Sequence, residues 1–410
     1  MVQTTAVERP LGVLMVLQRF PPELGGAEQQ VARLSAVLRR RGVRVEVLTL
    51  PHPSRPLEGL DAFGTPVHCV GAWAPPRVRT LGFALSAAHQ LLKRAAEFDV
   101  VHFHLLNSHA LLGAPVGHLL RYGVVVKGAG VGTTSDAMRQ LQHPLGKHYL
   151  PVLMRCVDAF IALNPLAVEE WQLAGARLEQ VAVLQNGLDL SHYPLTTPQL
   201  RAEAREKWGR RGLVVVFVGA YRPVKLLPVL IEGFRRALRQ HPDATLVLAG
   251  DGEQRPQLEA QVAQAGIHEH VVFTGSLTPE QVREQLNAAD VFALVSENEG
   301  ISNALLEAMA VGLPALVTDV PGNKELVQPD VQGLRIPPNQ PDAIAEALHR
   351  LFSDEALRHR LGMAGRQLVE TRFSMEGVAA LYESLYQRIR SRGQRASAPA
   401  TARATAPASR

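Results

Sequence analysis

Short β-branched apolar runs alternate with helix-length stretches along nearly the whole chain, and this alternation constrains the fold more than any other feature. In the first half the runs predict strands at Leu11–Gln18, Val43–Leu50, Val67–Gly71, Asp99–Leu105, Gly123–Lys127 and Ala159–Leu163. Helical stretches such as Ala27–Arg41 and Leu81–Glu97 lie between them. In the second half strands are predicted at Leu213–Gly219, Thr245–Ala249, Val271–Thr274, Val291–Val295 and Ala315–Thr318, separated by helices such as Pro228–Arg239, Pro256–Ala265 and Ser302–Val311. A strand that is apolar along its whole length is buried on both faces, which is the condition inside a parallel sheet covered by helices. Two such sets occur. They are separated near Asn186–Pro198, where Asn-Gly and two prolines break both periodicities. The expected class is α/β, with two doubly wound domains over residues 1–195 and 196–374. A final helix over 375–392, with Leu381, Tyr382, Leu385 and Tyr386 on one stripe, is expected to return to the first domain. The Ala/Ser/Thr/Pro/Arg segment 393–410 has no periodicity and is expected to be disordered.

Charge and composition remove several function classes. The chain of 410 residues carries a net charge of +5 and a pI near 9.4. Six arginines against two glutamates after residue 375 account for +4 of that excess, so the two domains are close to neutral. A folded basic face for nucleic acid is therefore not expected. Two cysteines, Cys69 and Cys156, suffice for neither a disulfide framework nor a four-ligand zinc site. No window holds the ~18 consecutive apolar residues of a membrane span, and the short run Leu11–Leu17 lacks the flanks of a secretory signal. A cytoplasmic protein is expected, with peripheral contact at the inner membrane face as an option. The stretch Arg77–Arg94 mixes cations with Leu, Phe and Ala, and reads either as a leaflet-docking helix or as an ordinary surface helix.

The richest chemistry lies in Ser296–Ala310. This segment follows a buried strand, so it falls at the carboxyl end of a parallel sheet, where open α/β folds bind ligands. Gly300 permits tight backbone geometry, and Ser302 or Asn303 can cap the helix that follows. The free N–H groups of its first turn suit a diphosphate. Glu307 then sits inside a turn of Ala, Leu and Met. Its carboxylate needs either a core arginine or the two hydroxyls of a ribose.

With Glu299 eight residues upstream, the segment resembles the retaining glycosyltransferases of family 4. Glu299 and Glu307 match their Glu-x7-Glu motif, in the context Glu299-Gly300, Leu306-Glu307-Ala308-Met309-Ala310 and Gly312-Leu313-Pro314. Phe217 to Lys225 resembles the family's strand and basic loop, and Val271 to Gly275, Asp319 to Leu326 and Asn186-Gly187-Leu188-Asp189 match further segments. Gly25-Gly26-Ala27-Glu28 resembles the glycine loop after the first strand. The resemblance covers roughly residues 11–390 and implies the GT-B fold, two Rossmann-like domains facing a central cleft. It implies that Glu299 holds the donor sugar and Glu307 the ribose of a nucleoside-diphosphate sugar. Lys225 and Arg222 would neutralise the diphosphate. Gly219, Gly275 and the amides of Gly300, Ile301, Ser302 and Asn303 would complete the donor site, with Gly25 and Gly26 opposite. No metal or other cofactor is required in such enzymes, and the acceptor is a hydroxyl on a sugar- or lipid-linked molecule, in glycoconjugate or surface polysaccharide synthesis.

Three positions depart from the family pattern. Ala220 stands where many members have Arg, Leu226 replaces a common Gly, and Val126-Lys127-Gly128 ends the fifth strand where many members have His. His104, Lys127 and Asp136 remain as acceptor-side candidates, Asp136 being equally readable as a helix cap. Gly25 and Gly26 are also readable as a plain strand–helix turn. His102, His104 and His109 share no third ligand of suitable spacing, which argues against a metal. The rival readings are a non-catalytic sugar-nucleotide-binding subunit and a nucleotide-sugar epimerase.

Overall fold

The structure, a computed structural model, describes residues 9–21, 26–52, 58–128 and 130–397. The first domain runs β1 (Gly12–Val16), α1 (Gly26–Arg40), β2 (Arg44–Thr49), β3 (Glu58–Leu60), β4 (Pro66–Cys69), α2 (Arg79–Lys93), β5 (Val100–His104), α3 (Ser108–Leu119), β6 (Gly123–Lys127), α4 (Asp136–Gln142), α5 (Gly146–Cys156), β7 (Ala159–Ala162), α6 (Pro165–Leu173) and β8 (Val181–Val183). The second runs α7 (Pro198–Trp208), β9 (Val214–Val218), α8 (Leu227–Ala237), β10 (Thr245–Ala249), α9 (Arg255–Gln264), β11 (Val271–Gly275), α10 (Pro279–Ala288), β12 (Val291–Leu294), α11 (Asn303–Ala310), β13 (Ala315–Thr318), α12 (Pro321–Leu326), β14 (Gly333–Ile336), α13 (Pro341–Ser353) and α14 (Glu355–Arg372). A last helix, α15 (Met375–Ser397), follows.

The strands form two sheets, ordered β3-β4-β2-β1-β5-β6-β7-β8 and β11-β10-β9-β12-β13-β14. Every pairing is parallel except β3 with β4. The central strands are buried along their length, as in Val214-Val-Val-Phe-Val, because helices cover both faces. On the first sheet α2, α3, α5 and α6 share one core with the sheet, while α1 and α15 share the core of the other face.

The last helix crosses between domains. Where the chain leaves the second domain, the Met375 N–H donates to the Leu188 carbonyl at 2.9 Å and the Leu188 N–H to the Phe373 carbonyl at 2.7 Å. Tyr382 and Tyr386 then bury fully against the first sheet, where each large side chain contributes about 1.5–3 kcal/mol of burial. The helix continues to Ser397, so residues 393–397 are helical where disorder was expected; residues 398–410 lie outside the described residues. The sequence pattern missed β3, β8 and β14. Each has only three or four residues at or beside a sheet edge, too few for a period to show, and β3 breaks the all-parallel expectation.

Candidate functional site

In an open parallel sheet the strand order reverses at one point, and the loops leaving the carboxyl ends there diverge to leave a crevice. Those points are β1/β5 in the first sheet and β9/β12 in the second. Chain segments leaving these four strands line one cleft of about 450 Å³ between the domains. They are Gly26–Leu34, His104–Leu105, Gly219–Lys225 and Asn298–Ala304.

The second-domain wall holds the charged groups. The loop after β9 ends in a 3-10 turn, Pro223–Lys225, which aims Lys225 at Glu299, and the two form an ion pair. Ser296 Oγ donates to the same Glu299 oxygen at 2.8 Å. Arg222 is exposed at the rim and makes no ion pair among the described residues. Leu226, which closes this turn, adopts φ 47°, ψ 32°. That left-handed geometry explains why glycine is common there in the family the sequence resembles, and it costs a leucine about 1–2 kcal/mol.

Ser302 caps α11 by accepting the Leu305 N–H at 3.3 Å. The N–H groups of Asn303 and Ala304, at the first two helical positions, have no intrahelical acceptor and open toward the cleft. The helix dipole adds to the attraction for an anion. Gly322 pins this loop from behind: its N–H donates to the Glu299 carbonyl at 3.1 Å, and a Cβ there would lie 1.9 Å from the Gly300 carbonyl oxygen.

Across the cleft, Asn303 ties the domains together. Its amide donates to Gly26 O at 3.0 Å, and its oxygen accepts from Asn186 at 3.0 Å and Gln30 at 3.2 Å. Asn164 donates to Gly300 O at 3.0 Å. Lys127 reaches the floor, donating to Asn186 Oδ1 at 2.9 Å with the Tyr382 ring 5.7 Å away. Burial holds its ammonium down to about 8. Beside it His104 is neutral, because burial first, then His102 and Lys127, push its pKa well below the ordinary range. The described lining thus carries three cations, Lys127, Arg222 and Lys225, against one carboxylate, Glu299, a balance suited to a diphosphate.

The cleft brings together Gly26, His104, Lys127, Gly219, Arg222, Lys225, Glu299, Gly300, Ile301, Ser302 and Asn303. Three candidates lie elsewhere, and Gly25 lies outside the described residues. Asp136 is not part of the cleft lining; its carboxylate accepts the Leu106 N–H at 3.2 Å and pairs with Arg139, while Ser135 is the cap of α4. Gly275 sits at a register shift between β10 and β11 with φ +71°, off the cleft wall. Glu307 is half-buried one turn behind the α11 start, 3.7 Å from Arg33 NH1 and in contact with Tyr193. Burial raises its pKa, and Arg33 and Tyr193 oppose that rise. Ser296, Asn186, Gln30 and Gly322 were not singled out from sequence. Their roles depend on partners 3 to 273 residues away; Ser296, Asn186 and Gly322 stood in recognised segments, and Gln30 in none.

Two family models match the chain: Glycosyltransferase Family 4 over residues 24–192 and Glycosyl transferases group 1 over residues 201–368. An uncharacterized glycosyltransferase of Methanocaldococcus jannaschii is 26% identical, over 92% of this chain and 97% of the relative. The D-inositol 3-phosphate glycosyltransferase of Xylanimonas cellulosilytica is 27% identical, over 89% and 92%. Among solved structures, Anabaena HepE in complex with UDP and glucose superposes with a TM-score of 0.74 at 20% identity, over 92% of this chain and all of that one.

Proposed function

Because this chain belongs to the family 4 glycosyltransferases and has the GT-B fold, we propose that its cleft moves a sugar from a nucleoside-diphosphate sugar to an acceptor hydroxyl with retention of configuration. The observation that carries this reading is the Lys225–Glu299 pair set beside the open amides of α11. Bound donor would lay its diphosphate against Lys225, Arg222 and the Asn303 and Ala304 N–H groups. Glu299 would accept hydrogen bonds from the sugar hydroxyls. The acceptor oxygen bonds to the anomeric carbon on the face from which the diphosphate leaves, the carbon–oxygen bond to the diphosphate breaks, and the acceptor proton passes to a departing phosphate oxygen. Charge accumulates on the leaving group, and Lys225 with the helix amides is placed to stabilise it.

The residues present fit a reaction without a metal: the cations of the wall oppose the diphosphate charge, and Glu299 is the one carboxylate of the described lining. The acceptor would sit on the first-domain wall, near His104 and Lys127. A polyol or sugar hydroxyl fits, as in the inositol phosphate substrate named for one relative, and glycoconjugate or surface polysaccharide synthesis is the proposed setting, at the cytoplasmic side.

Thermal unfolding with UDP, GDP, ADP and their sugars, with and without EDTA, tests donor binding. A ligand at 100 times its Kd stabilises by about 2.7 kcal/mol. Nucleotide-sugar turnover with product anomers read by NMR tests the transfer. Binding with neither transfer nor donor hydrolysis would leave a non-catalytic subunit, and conversion of the donor alone to an isomer would indicate an epimerase.

A further inference from the structure

The three cations of the cleft lining are not equally compensated. Lys225 is paired with Glu299, and Arg222 stands in water at the rim. Lys127 has neither remedy. It ends β6 beside His104 at the end of β5, half-buried on the first-domain wall, across the cleft from the basic loop. An ammonium group carries three N–H donors. One reaches Asn186 Oδ1 at 2.9 Å, a neutral acceptor whose own amide is held by Asn303 at 3.0 Å. The other two have no acceptor among the described residues. Burial alone lowers the Lys127 pKa to about 8, and no carboxylate opposes it. The group is therefore charged at neutral pH and lacks a counter-anion from the protein.

A second donor stands beside it. Tyr382 of α15 lines the same floor, its ring 5.7 Å from the Lys127 ammonium. The residue is 1% exposed, and its hydroxyl has no hydrogen-bond partner among the described residues. Its neighbour Tyr386, by contrast, bonds His102 Nδ1 at 2.8 Å. Burial raises the Tyr382 pKa, so the hydroxyl keeps its proton and can donate. Buried donors are as a rule satisfied. Here two ammonium N–H groups and a phenol O–H stand open on one cleft floor, with neutral His104 next to them and no acid among the described side chains there. An anion with several acceptor oxygens is their complement.

We propose that Lys127 and Tyr382 receive an anionic substituent, a carboxylate or a phosphate, on the sugar that lies against the first-domain wall, and so select an acidic substrate over its neutral counterpart. Two molecules can bring that group: a donor whose transferred sugar is a uronic acid, or an acidic acceptor. That the sugar is a transferase substrate rests on the reading given above; the anion site rests on the unmatched donors. The nucleotide diphosphate is a different anion, assigned to the opposite wall, where Lys225, Arg222 and the α11 amides stand.

The test is isothermal titration of the full chain with neutral and acidic partners. The donor arm compares UDP-glucose with UDP-glucuronate and GDP-mannose with GDP-mannuronate. The acceptor arm compares glucose with glucuronate and glucose 6-phosphate, each alone and with UDP or GDP. In at least one arm the acidic member should bind ~10-fold tighter or more, the scale of a hydrogen bond to a charged group. Lys127→Met should lower affinity for the acidic member by about 10–100-fold and leave the neutral one within about threefold. Tyr382→Phe should lower it by about tenfold without lowering Tm, because the hydroxyl has no protein partner to lose. That second variant decides the question if Lys127→Met does not fold by circular dichroism. A preference in the donor arm assigns the anion to the transferred sugar, and one in the acceptor arm assigns it to the acceptor. Three results overturn the proposal: no acidic preference in either arm, a preference that survives both variants, or loss of UDP and GDP binding in Lys127→Met, which would give the ammonium to the diphosphate. Binding and transfer from a nucleotide sugar without the preference would leave the transferase reading standing alone. The preference without transfer from any donor would leave only the anion site.

Discussion

Replacing Lys225 by Ala separates electrostatic catalysis from simple anion binding. The Lys225 side chain is 20% exposed and its partner Glu299 10% exposed, so a charge there is only partly screened. At an effective dielectric of about 20, two unit charges 4 Å apart interact by about 4 kcal/mol. Losing one preorganised group at a developing anion costs about 2.7–4 kcal/mol, or 10²–10³ in kcat. Arg222 is exposed at the rim, where a single charge contributes about 1 kcal/mol or less, about fivefold. Lys225→Ala should therefore lower kcat/KM at least 100-fold, and Arg222→Ala no more than tenfold. Rates come from nucleotide release under saturating acceptor, with circular dichroism to verify folding. If Lys225→Ala stays within threefold of wild type, or Arg222→Ala is the more damaging change, the burial argument for this site is wrong.

Further outcomes follow from the same geometry. Gly322→Ala places a Cβ against the Gly300 and Glu299 carbonyls, so it should lower Tm by several degrees and abolish the nucleotide-induced thermal shift; an unchanged melt would contradict the close approach. Arg33→Met leaves the half-buried Glu307 without its cation, which should cost about 1–3 kcal/mol, and Arg33→Met/Glu307→Gln should recover at least half of that in urea unfolding. Leu226→Gly removes about 1–2 kcal/mol of backbone strain but also a buried leucine side chain worth about 2–5 kcal/mol, so the net effect is destabilising; a gain in stability would show the strain term to dominate. For Lys127 the folded value lies near 8 and the unfolded value at the ordinary 10.5. Between them the unfolded chain binds the proton and the folded chain does not, so stability rises with pH across that window. Wild type should gain on Lys127→Met between about pH 8 and pH 10, and parallel pH profiles would place the ammonium in water.

The second-domain motif was legible because its residues are consecutive. Glu299, Gly300, Ser302 and Asn303 come from one strand–loop–helix passage, and the chemistry of each is local: a turn, a cap, a set of free amides. Lys225 was readable for the same reason, since a cation in the loop after a buried strand has few places to point. The fates of Glu307 and Asp136 were not readable. A carboxylate's role depends on its nearest partner, and here the partners are Arg33, 274 positions away, and the Leu106 amide with Arg139.

The sequence by itself determined the class of fold, because fully apolar strands separated by amphipathic helices satisfy their backbone and bury their faces only in covered parallel sheets. It also determined where a ligand cleft is to be sought, since carboxyl-end loops of such sheets carry the ligand. Tertiary structure alone decided that both reversal points of strand order face each other across one cleft, that Asn303 joins the domains there, and that the outer leucines of α2 stay exposed while its inner ones are covered. Each of those is a relation between segments far apart in the chain. Hydrophobic periodicity describes one element at a time and is silent on which elements meet.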